Sequence, residues 1–437
     1  MAAINQDSYF QQFRTQSFYM KWALSTSVVF CFAIFTYVAL TNLSMLALML
    51  AAPFAWWGFY KGRESLEPEV RVFLGLIALM CSWDIVVNLL AGHGLGEAFK
   101  ALLHDARTFA FVVVLWALFT NVLLARTAFF AILATVVVMV SINLLMTLTG
   151  VISQGKYFSN ELLRMSHLSH IYGQALVGFF FVLAQMWLVR PSLSWRVLVP
   201  MVLLVLSLFL ASERRTGYVL LMAGVGVWGM LNAKRLFMGK YRWWLVLAAL
   251  AGLGVAASSD VVQSRMVLAV AEFNQYLAMT PQERATSTLG SVSIRMQYAA
   301  TIWEAIRQSN WWIGVGSIDL PSAYQVAAKQ FGVSQQAWGT YNWSNPHNEY
   351  LHTLATKGVI GLVLYLAIFA QACRVAWRKT DEVQRIGLAM FVFLFMLSIT
   401  TNSMMIDMEE GHFTLLILLV FLAPKSLGLD GSKTENT

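Results

Sequence analysis

The chain has 437 residues, which is long enough for two or three soluble domains. Its composition excludes that organisation, because 58% of the residues are hydrophobic and only 12% are charged, whereas soluble domains carry roughly 25% charge. The formal net charge of +8 alone would suit a nucleic-acid-binding protein. The apolar content indicates an integral membrane protein instead, and we expect no nucleic-acid partner.

Apolar runs long enough to cross a bilayer recur along the whole sequence. They predict an all-α, polytopic integral membrane protein with about twelve transmembrane helices. In chain order the predicted spans are 20–41, 43–60, 71–91, 108–125, 128–149, 169–189, 195–212, 216–231, 241–258, 354–373, 386–402 and 412–424.

The Lys and Arg residues of the short connecting segments lie mostly on the same side as the N-terminus. The positive-inside rule therefore predicts that both termini are cytoplasmic. On this topology, 1–258 contains the first nine spans and 259–350 is one large periplasmic loop. Residues 351–424 contain the last three spans, and 425–437 form a cytoplasmic, disordered tail.

The large loop has helical features of its own. Residues 292–309 place Ile294, Tyr298 and Ile302 at helical spacing, and 261–278 repeat that amphipathic character. Tryptophan prefers the boundary between lipid and water, so four tryptophans predict that the loop rests on the membrane surface. They are Trp311, Trp312, Trp338 and Trp343.

Two adjacent arginines, Arg214 and Arg215, lie in a short turn between the seventh and eighth spans. One interpretation is a pair that reaches the lipid headgroups. The other is an anion clamp, because the planar guanidinium binds phosphate through two hydrogen bonds and keeps its charge. The shortness of the turn favours the clamp. Arg295 lies on the predicted 292–309 helix. An arginine at such a position is most often a solvated surface residue, and Arg295 becomes a candidate site residue only because of the other candidates near it.

His347 is the most informative polar residue. Asn345 followed by Pro346 predicts a helix start, with Asn345 as the N-cap. His347 and Asn348 would then lie in the first turn, where the positive helix end disfavours imidazolium and keeps His347 able to accept a proton. The alternative is a histidine that only hydrogen-bonds within the loop.

Three other sequence patterns are less specific. Asp84 and Asn88 are one helical turn apart in the third span, and an acid inside a membrane suggests a functional site; a structural hydrogen bond is an equal alternative. Gly314-Val315-Gly316 predicts a turn and not a nucleotide loop. The acidic cluster 407–412 predicts a solvated turn. We expect no metal ion and no cofactor.

These features together resemble a known family. An Arg-Arg-Thr-Gly turn, a large late outer loop with an arginine, and the stretch Pro346–Leu351 followed by Gly358 and Gly361 are similar to the bacterial O-antigen ligase and polymerase superfamily of membrane glycosyltransferases. Within it, the single large loop is most similar to that of the O-antigen ligases.

The resemblance implies a metal-independent, inverting glycosyltransferase at the periplasmic face of the bacterial inner membrane. Such an enzyme transfers O-antigen polysaccharide from undecaprenyl diphosphate to a terminal sugar of lipid A–core. The family's histidine falls on His347, as general base, and its two key arginines on Arg215 and Arg295, as diphosphate ligands. Arg214 is the alternative to Arg215, and Asn348 and Tyr350 become candidate substrate-binding residues.

Three other functions remain open on sequence grounds. An O-antigen polymerase or a protein O-oligosaccharyltransferase would handle the lipid-linked donor in the same way and differ in the acceptor. A lipid-linked sugar flippase or transporter would need polar residues at mid-membrane depth. Asp84 is the one acid placed inside a predicted span, which favours chemistry at the outer rim.

Overall fold

The fold is described from a computed structural model of the full chain. The residues it describes are 6–36, 38–61, 66–105, 107–152, 169–190, 194–211, 215–238, 260–286, 289–331, 346–400, 408–423, 427 and 429. Every regular element within these ranges is a helix, in agreement with the predicted all-α class.

The helices follow one another with short connections. In chain order they are α1 (Gln6–Thr15), α2 (Phe18–Ala33), α3 (Val38–Lys61), α4 (Pro68–Leu90), α5 (Leu95–Asp105), α6 (Arg107–Phe119), α7 (Val122–Leu148), α8 (Ser169–Val189), α9 (Ser194–Leu210), α10 (Arg215–Leu231), α11 (Ala233–Met238), α12 (Asp260–Ala278), α13 (Pro281–Thr286), α14 (Ser291–Arg307), α15 (Leu320–Gln330), α16 (Glu349–Trp377), α17 (Glu382–Ser398) and α18 (Met408–Phe421).

Four of the described helices, α3, α4, α7 and α16, are long and apolar enough to cross a membrane. The bent pair α5 and α6 would add a fifth if it acts as one span, and α2, α8, α9, α10 and α18 contain shorter apolar stretches. The structure is therefore consistent with a membrane protein. The full count of twelve spans stays a prediction, and the predicted span 241–258 lies outside the described residues.

The outer surface of α3 has the character expected of a lipid-facing helix. Leu43, Leu46, Leu50, Phe54 and Trp57 recur every three or four residues and are each more than half exposed. This spacing puts them on one face of the helix. An exposed face of this size that is apolar throughout is unusual on a soluble monomer, so it supports immersion in lipid.

Two predicted boundaries were wrong. The first predicted span, 20–41, is divided, because α2 ends at Ala33 and α3 begins at Val38; the apolar run continues through the break and hides it. The predicted gap near residue 126 moves to Thr120–Asn121, because the Asn121 side chain accepts a hydrogen bond from the Leu124 amide (3.1 Å) and caps α7.

The apolar helices pack into one large core. Helix α2 lies against α3 and α7, α8 against α9 and α17, and α4 against α16. A buried hydrophobic cluster extends from Met20 in α2 to Leu429 near the C-terminus. Leu427 and Leu429 are buried, and their amides donate to the side chains of Gln384, in α17, and of Asp381, which caps α17. At these two positions the expected disordered tail was wrong.

The helices of the large loop form a second, smaller core with the first turns of α16. Tyr298, Ile302 and Ile306 of α14 pack with Leu320 and Tyr324 of α15 and with Leu354 and Ala355 of α16. The predicted helices 261–278 and 292–309 are confirmed as α12 and α14, within two residues at each end. The loop segment therefore holds a fixed position against α16.

Candidate functional site

His347 lies immediately before α16, between the buried Pro346 and the cap residue Asn348. Its backbone φ is +51°, and no other non-glycine residue in the described part of the chain has a positive φ. Side chains rarely adopt this conformation, which costs about 1–3 kcal/mol and is concentrated at functional sites. The surrounding contacts therefore hold His347 in one defined orientation.

The cap of α16 is Asn348, not Asn345. The Asn348 side-chain oxygen accepts a hydrogen bond from the Leu351 amide (2.9 Å), and its side-chain nitrogen donates to the Thr400 carbonyl (3.0 Å). The predicted cap was wrong because Pro346 precedes the helix instead of occupying its first position; Asn345 itself lies outside the described residues. His347 is consequently in the approach to the helix and not in its first turn.

The start of α16 is also attached to the end of α17. The Glu349 amide donates to the Ile399 carbonyl (3.0 Å), and the Tyr350 hydroxyl donates to the Met396 carbonyl (2.6 Å). With the Asn348–Thr400 bond, these contacts join two chain segments some fifty residues apart. The side chains of Asn348 and Tyr350, both predicted to bind substrate, form these internal hydrogen bonds.

Helix α14 presents Arg295 and Tyr298 to His347. The Tyr298 and His347 rings lie with their centroids 5.5 Å apart and their planes 40° apart. The Arg295 guanidinium is held from within its own helix, since its Nη1 donates to the Ser291 hydroxyl (2.7 Å) and carbonyl (3.2 Å). Two residues that the sequence separates by about fifty positions thus share one site.

The environment of His347 favours the neutral imidazole. Burial, and secondarily the positive charge of Arg295, lowers the pKa of His347 to about 4. The predicted neutral state is supported, but its cause is different from the one expected. The pKa is lowered because the ring is desolvated and lies near a cation, and a position in the first turn of a helix is not needed to explain it.

The N-terminus of α14 is capped from a neighbouring helix. Gly290, at the cap position, has no side chain to offer, and the buried carboxylate of Glu272 in α12 accepts from the Val292 amide instead (2.7 Å). Tyr276 of α12 adds a second tie by donating to the Gln297 side chain (3.0 Å). Sequence reasoning missed Glu272; a helix start after glycine without its own cap is the signal that could have pointed to it.

Arg215 is the first residue of α10, and Arg214 lies outside the described residues. The glycine of the Arg-Arg-Thr-Gly turn has a packing role. A side-chain carbon at Gly173 in α8 would lie 3.3 Å from the Cα of Gly217, and one at Gly217 would lie 2.6 Å from the Leu208 side chain. Helices α8 and α10 thus cross closely at Gly217, two residues after Arg215, and this contact holds the start of α10 against α8.

Asp84 and Asn88 have partners that the sequence does not reveal. Asp84 forms a buried ion pair with Lys357 of α16, at 2.8 Å between Oδ1 and Nζ. Asn88 donates to the Ser317 hydroxyl at 3.1 Å. The predicted turn at Gly314-Val315-Gly316 is confirmed, with positive φ at both glycines. Lys357 and Glu272 were not singled out from the sequence, and Tyr298 was identified only by its helical spacing, not as a neighbour of the site.

The described residues contain no group of three or more His, Cys, Asp or Glu side chains placed to hold a metal ion. What the arrangement offers is a neutral base beside a fixed positive charge. That pair can accept a proton from a hydroxyl and stabilise an anion at the same position.

Residues 199–366 match the family described as O-antigen ligase, a range that contains Arg215, Arg295 and His347 and ends within α16. A comparison with curated proteins finds no match. The sequence motifs and the match over residues 199–366 agree, and together they support membership of the O-antigen ligase superfamily.

Proposed function

We propose that this protein is an O-antigen ligase that transfers O-antigen polysaccharide from undecaprenyl diphosphate to a terminal sugar of lipid A–core. One observation carries the proposal: within the family-matched range, a neutral His347 lies within the electrostatic reach of Arg295. Proton acceptance and stabilisation of an anionic leaving group are the two tasks that this transfer requires.

In the proposed reaction, His347 accepts the proton of the acceptor hydroxyl as its oxygen attacks the anomeric carbon of the donor sugar. The bond between that carbon and the diphosphate oxygen breaks, and undecaprenyl diphosphate leaves with the electron pair. Attack from the face opposite the leaving group inverts the anomeric centre. Arg295 and Arg215 hold the diphosphate, whose low basicity removes the need for a carboxylic acid to protonate it.

A pKa of about 4 makes His347 a weak base in the empty site. The bound donor would change this, because a negative diphosphate near Arg295 offsets the cation that lowers the pKa. A nearby negative charge also stabilises the imidazolium directly. Donor binding would therefore move the pKa of His347 towards the working pH, where a general base is most effective.

The remaining predicted site residues receive different roles in this proposal. Arg215 precedes Thr-Gly as the family pattern expects, and we assign it in preference to Arg214 to the diphosphate. Asn348 and Tyr350 are assigned to positioning, because their hydrogen bonds to Thr400 and Met396 hold the segment that carries His347.

The proposed location is the bacterial inner membrane, with both termini cytoplasmic and the site on the periplasmic side. The long apolar helices support the membrane assignment, and the excess of Lys and Arg on one side of the predicted topology supports the orientation. The proposed partners are the lipid-linked donor, lipid A–core and the surrounding membrane lipids.

The test is reconstitution of the purified protein with undecaprenyl-diphosphate-linked O-antigen and lipid A–core, in the presence of a chelator. Glycan on lipid A–core is the expected product. A longer lipid-linked glycan would instead indicate a polymerase, and glycan on an added acceptor protein would indicate a protein O-oligosaccharyltransferase. Donor moved across a sealed bilayer without any new glycosidic bond would overturn the enzyme assignment in favour of a flippase.

A further inference from the structure

Helix α16 is broken ten residues after its cap, Asn348. Gly358 has φ +65° and ψ −170°, which are not helical values. The break frees backbone carbonyls on its N-terminal side and amides on its C-terminal side. In an apolar environment such groups need other hydrogen-bond partners.

The turn Trp311–Gly316, here called the plug turn, supplies those partners. The amides of Val315 and Gly316 donate to the carbonyls of Ala355 (2.8 Å) and Thr356 (3.0 Å). On the other side of the break, the amide of Val359 donates to the carbonyl of Trp311 (2.8 Å). The large loop is thus hydrogen-bonded into the break of α16.

The approach is close enough to require glycine on both sides. A side-chain carbon at Gly314 would lie 2.5 Å from the Ala355 carbonyl oxygen, and one at Gly358 would lie 2.2 Å from the Trp312 carbonyl oxygen. Both glycines also have positive φ, which other residues rarely adopt. The backbone contact between the plug turn and α16 therefore has one available geometry.

Helix α4 contacts both sides of the junction, the name used here for the contact between the plug turn and the break of α16. The Lys357 ammonium pairs with the Asp84 carboxylate at 2.8 Å, and each side chain is only 1% exposed. One residue before Asp84, the Trp83 indole donates to the Lys357 carbonyl (2.9 Å). One turn further, Asn88 donates to Ser317 (3.1 Å) and accepts from the Ile318 amide (3.3 Å).

Both chain segments that meet at the junction lead directly to residues of the proposed site. The plug turn follows directly from α14, which carries Arg295 and Tyr298, and the first half of α16 follows directly from His347. Both segments also contribute to the apolar cluster that includes Tyr298 and Leu354. Where the plug turn sits on α16 therefore determines where Arg295 sits relative to His347.

We infer that Asp84 and Lys357 are positioning residues: their ion pair fixes the break of α16 against the plug turn, and thereby sets Arg295 and His347 in register for glycosyl transfer. The inference rests on the proposed function. Buried ion pairs are often dispensable for stability when both charges are replaced together, but they can specify one arrangement among several. Here the specified arrangement would be that of the two site residues.

The test compares four forms of the full-length protein in detergent or proteoliposomes. Lys357→Met removes one charge, and Asp84→Asn with Lys357→Met removes both and avoids an unpaired buried carboxylate. Lys357→Arg retains the charge. Arg378→Gln is the matched control, because the Arg378–Glu69 pair (2.8 Å) joins the same two helices at the far end of α16 from the plug turn.

Two readouts separate positioning from folding. In the transfer assay we expect kcat of the double variant to fall about 10- to 100-fold, as for a misplacement of around 1 Å. Lys357→Arg should recover most of kcat, and Arg378→Gln should keep the full value. The second readout needs no turnover: the rate at which diethyl pyrocarbonate acylates His347, followed by mass spectrometry between pH 3.5 and 7.5, reports the pKa of His347.

If the pair sets the register, the double variant allows Arg295 to move away and the pKa of His347 rises above about 4, while burial still keeps it below the ordinary value. A folded double variant with an unchanged His347 pKa and an unchanged kcat would overturn the inference.

If the unaltered protein shows no transfer, the proposed function fails, while the acylation titration still decides whether Asp84 and Lys357 position His347. If Lys357→Met does not fold, the double variant carries the test; failure of Lys357→Arg to recover either readout would also count against the inference.

Discussion

Arg295 of α14 lies close enough to His347 for its positive charge to add to burial, the larger effect, in lowering the pKa of the imidazole to about 4. Tyr298, three residues further along α14, covers the same ring at 5.5 Å. The base and the cation of the proposed transfer thus belong to separate elements that meet at the start of α16.

Arg295→Ala should reduce transfer and raise the pKa of His347. The guanidinium is expected to stabilise the leaving diphosphate, so its loss should lower kcat by about 10²–10³-fold. The acid limb of kcat/KM should move upward in pH at the same time, because the nearby positive charge is gone. Initial rates between pH 3.5 and 8 measure both effects.

Arg307→Ala is the matched control for that variant. Arg307 is on the same helix, is largely exposed and pairs with Glu304 (3.3 Å) away from His347. It should keep the normal rate and the normal acid limb. Equal losses in the two variants would mean that α14 needs arginines only for its structure.

The unaltered protein should show two different acid limbs. The free enzyme has a His347 pKa of about 4, and the neutral form is the active base, so kcat/KM should be constant at neutral pH and fall as pH drops through that value. The profile of kcat reports the donor complex, in which the anionic diphosphate raises the pKa. Its acid limb should therefore lie at higher pH; coincident limbs near 6.5 would contradict the assigned environment.

Arg215→Ala and Arg214→Ala should differ. Arg215 begins α10. The close Gly173–Gly217 crossing two residues later holds this start of the helix against α8. Loss of Arg215 should lower transfer by about 10²-fold or more, whereas loss of Arg214 should leave most of the activity. The opposite ranking in the reconstituted assay would transfer the diphosphate role to Arg214.

Asn348→Ala should destabilise the start of α16. The substitution removes the N-cap, which is typically worth about 1 kcal/mol, and also the bond to the Thr400 carbonyl. Asn348→Asp keeps the capping oxygen and loses only the second bond, so its thermal unfolding temperature should lie between those of Asn348→Ala and the unaltered protein. A full recovery of that temperature by Asn348→Asp would show that the Thr400 bond contributes no stability.

The sequence predicts those features that depend on local periodicity. The 3.6-residue spacing of Ile294, Tyr298 and Ile302 identified α14, and the apolar runs identified most long helices. The break of α16 at Gly358 was not predicted, because it lies at the start of an apolar run and its hydrogen-bond partners come from the plug turn, which is distant in sequence. The cap of α16 was misplaced because Asn345-Pro346 is as good a local start signal as Asn348.

Contacts between distant segments were beyond reach for a different reason. Asp84 was identified as an unusual acid, but its partner Lys357 is 273 residues away and neither local spacing nor composition links them. The same holds for Glu272 as the cap of α14 and for the Tyr298–His347 contact. These pairings exist only after the loop helices have packed on α16.

Whether His347 is the general base is tested by the transfer rate of His347→Ala, compared with that of the unaltered protein at equal folded concentration and saturating donor. If His347 accepts the acceptor proton, kcat should fall by about 10²–10⁴-fold, while donor binding and thermal unfolding change little. Glycan on lipid A–core at close to the normal rate in His347→Ala would contradict this role, because the proposed general base would then be dispensable.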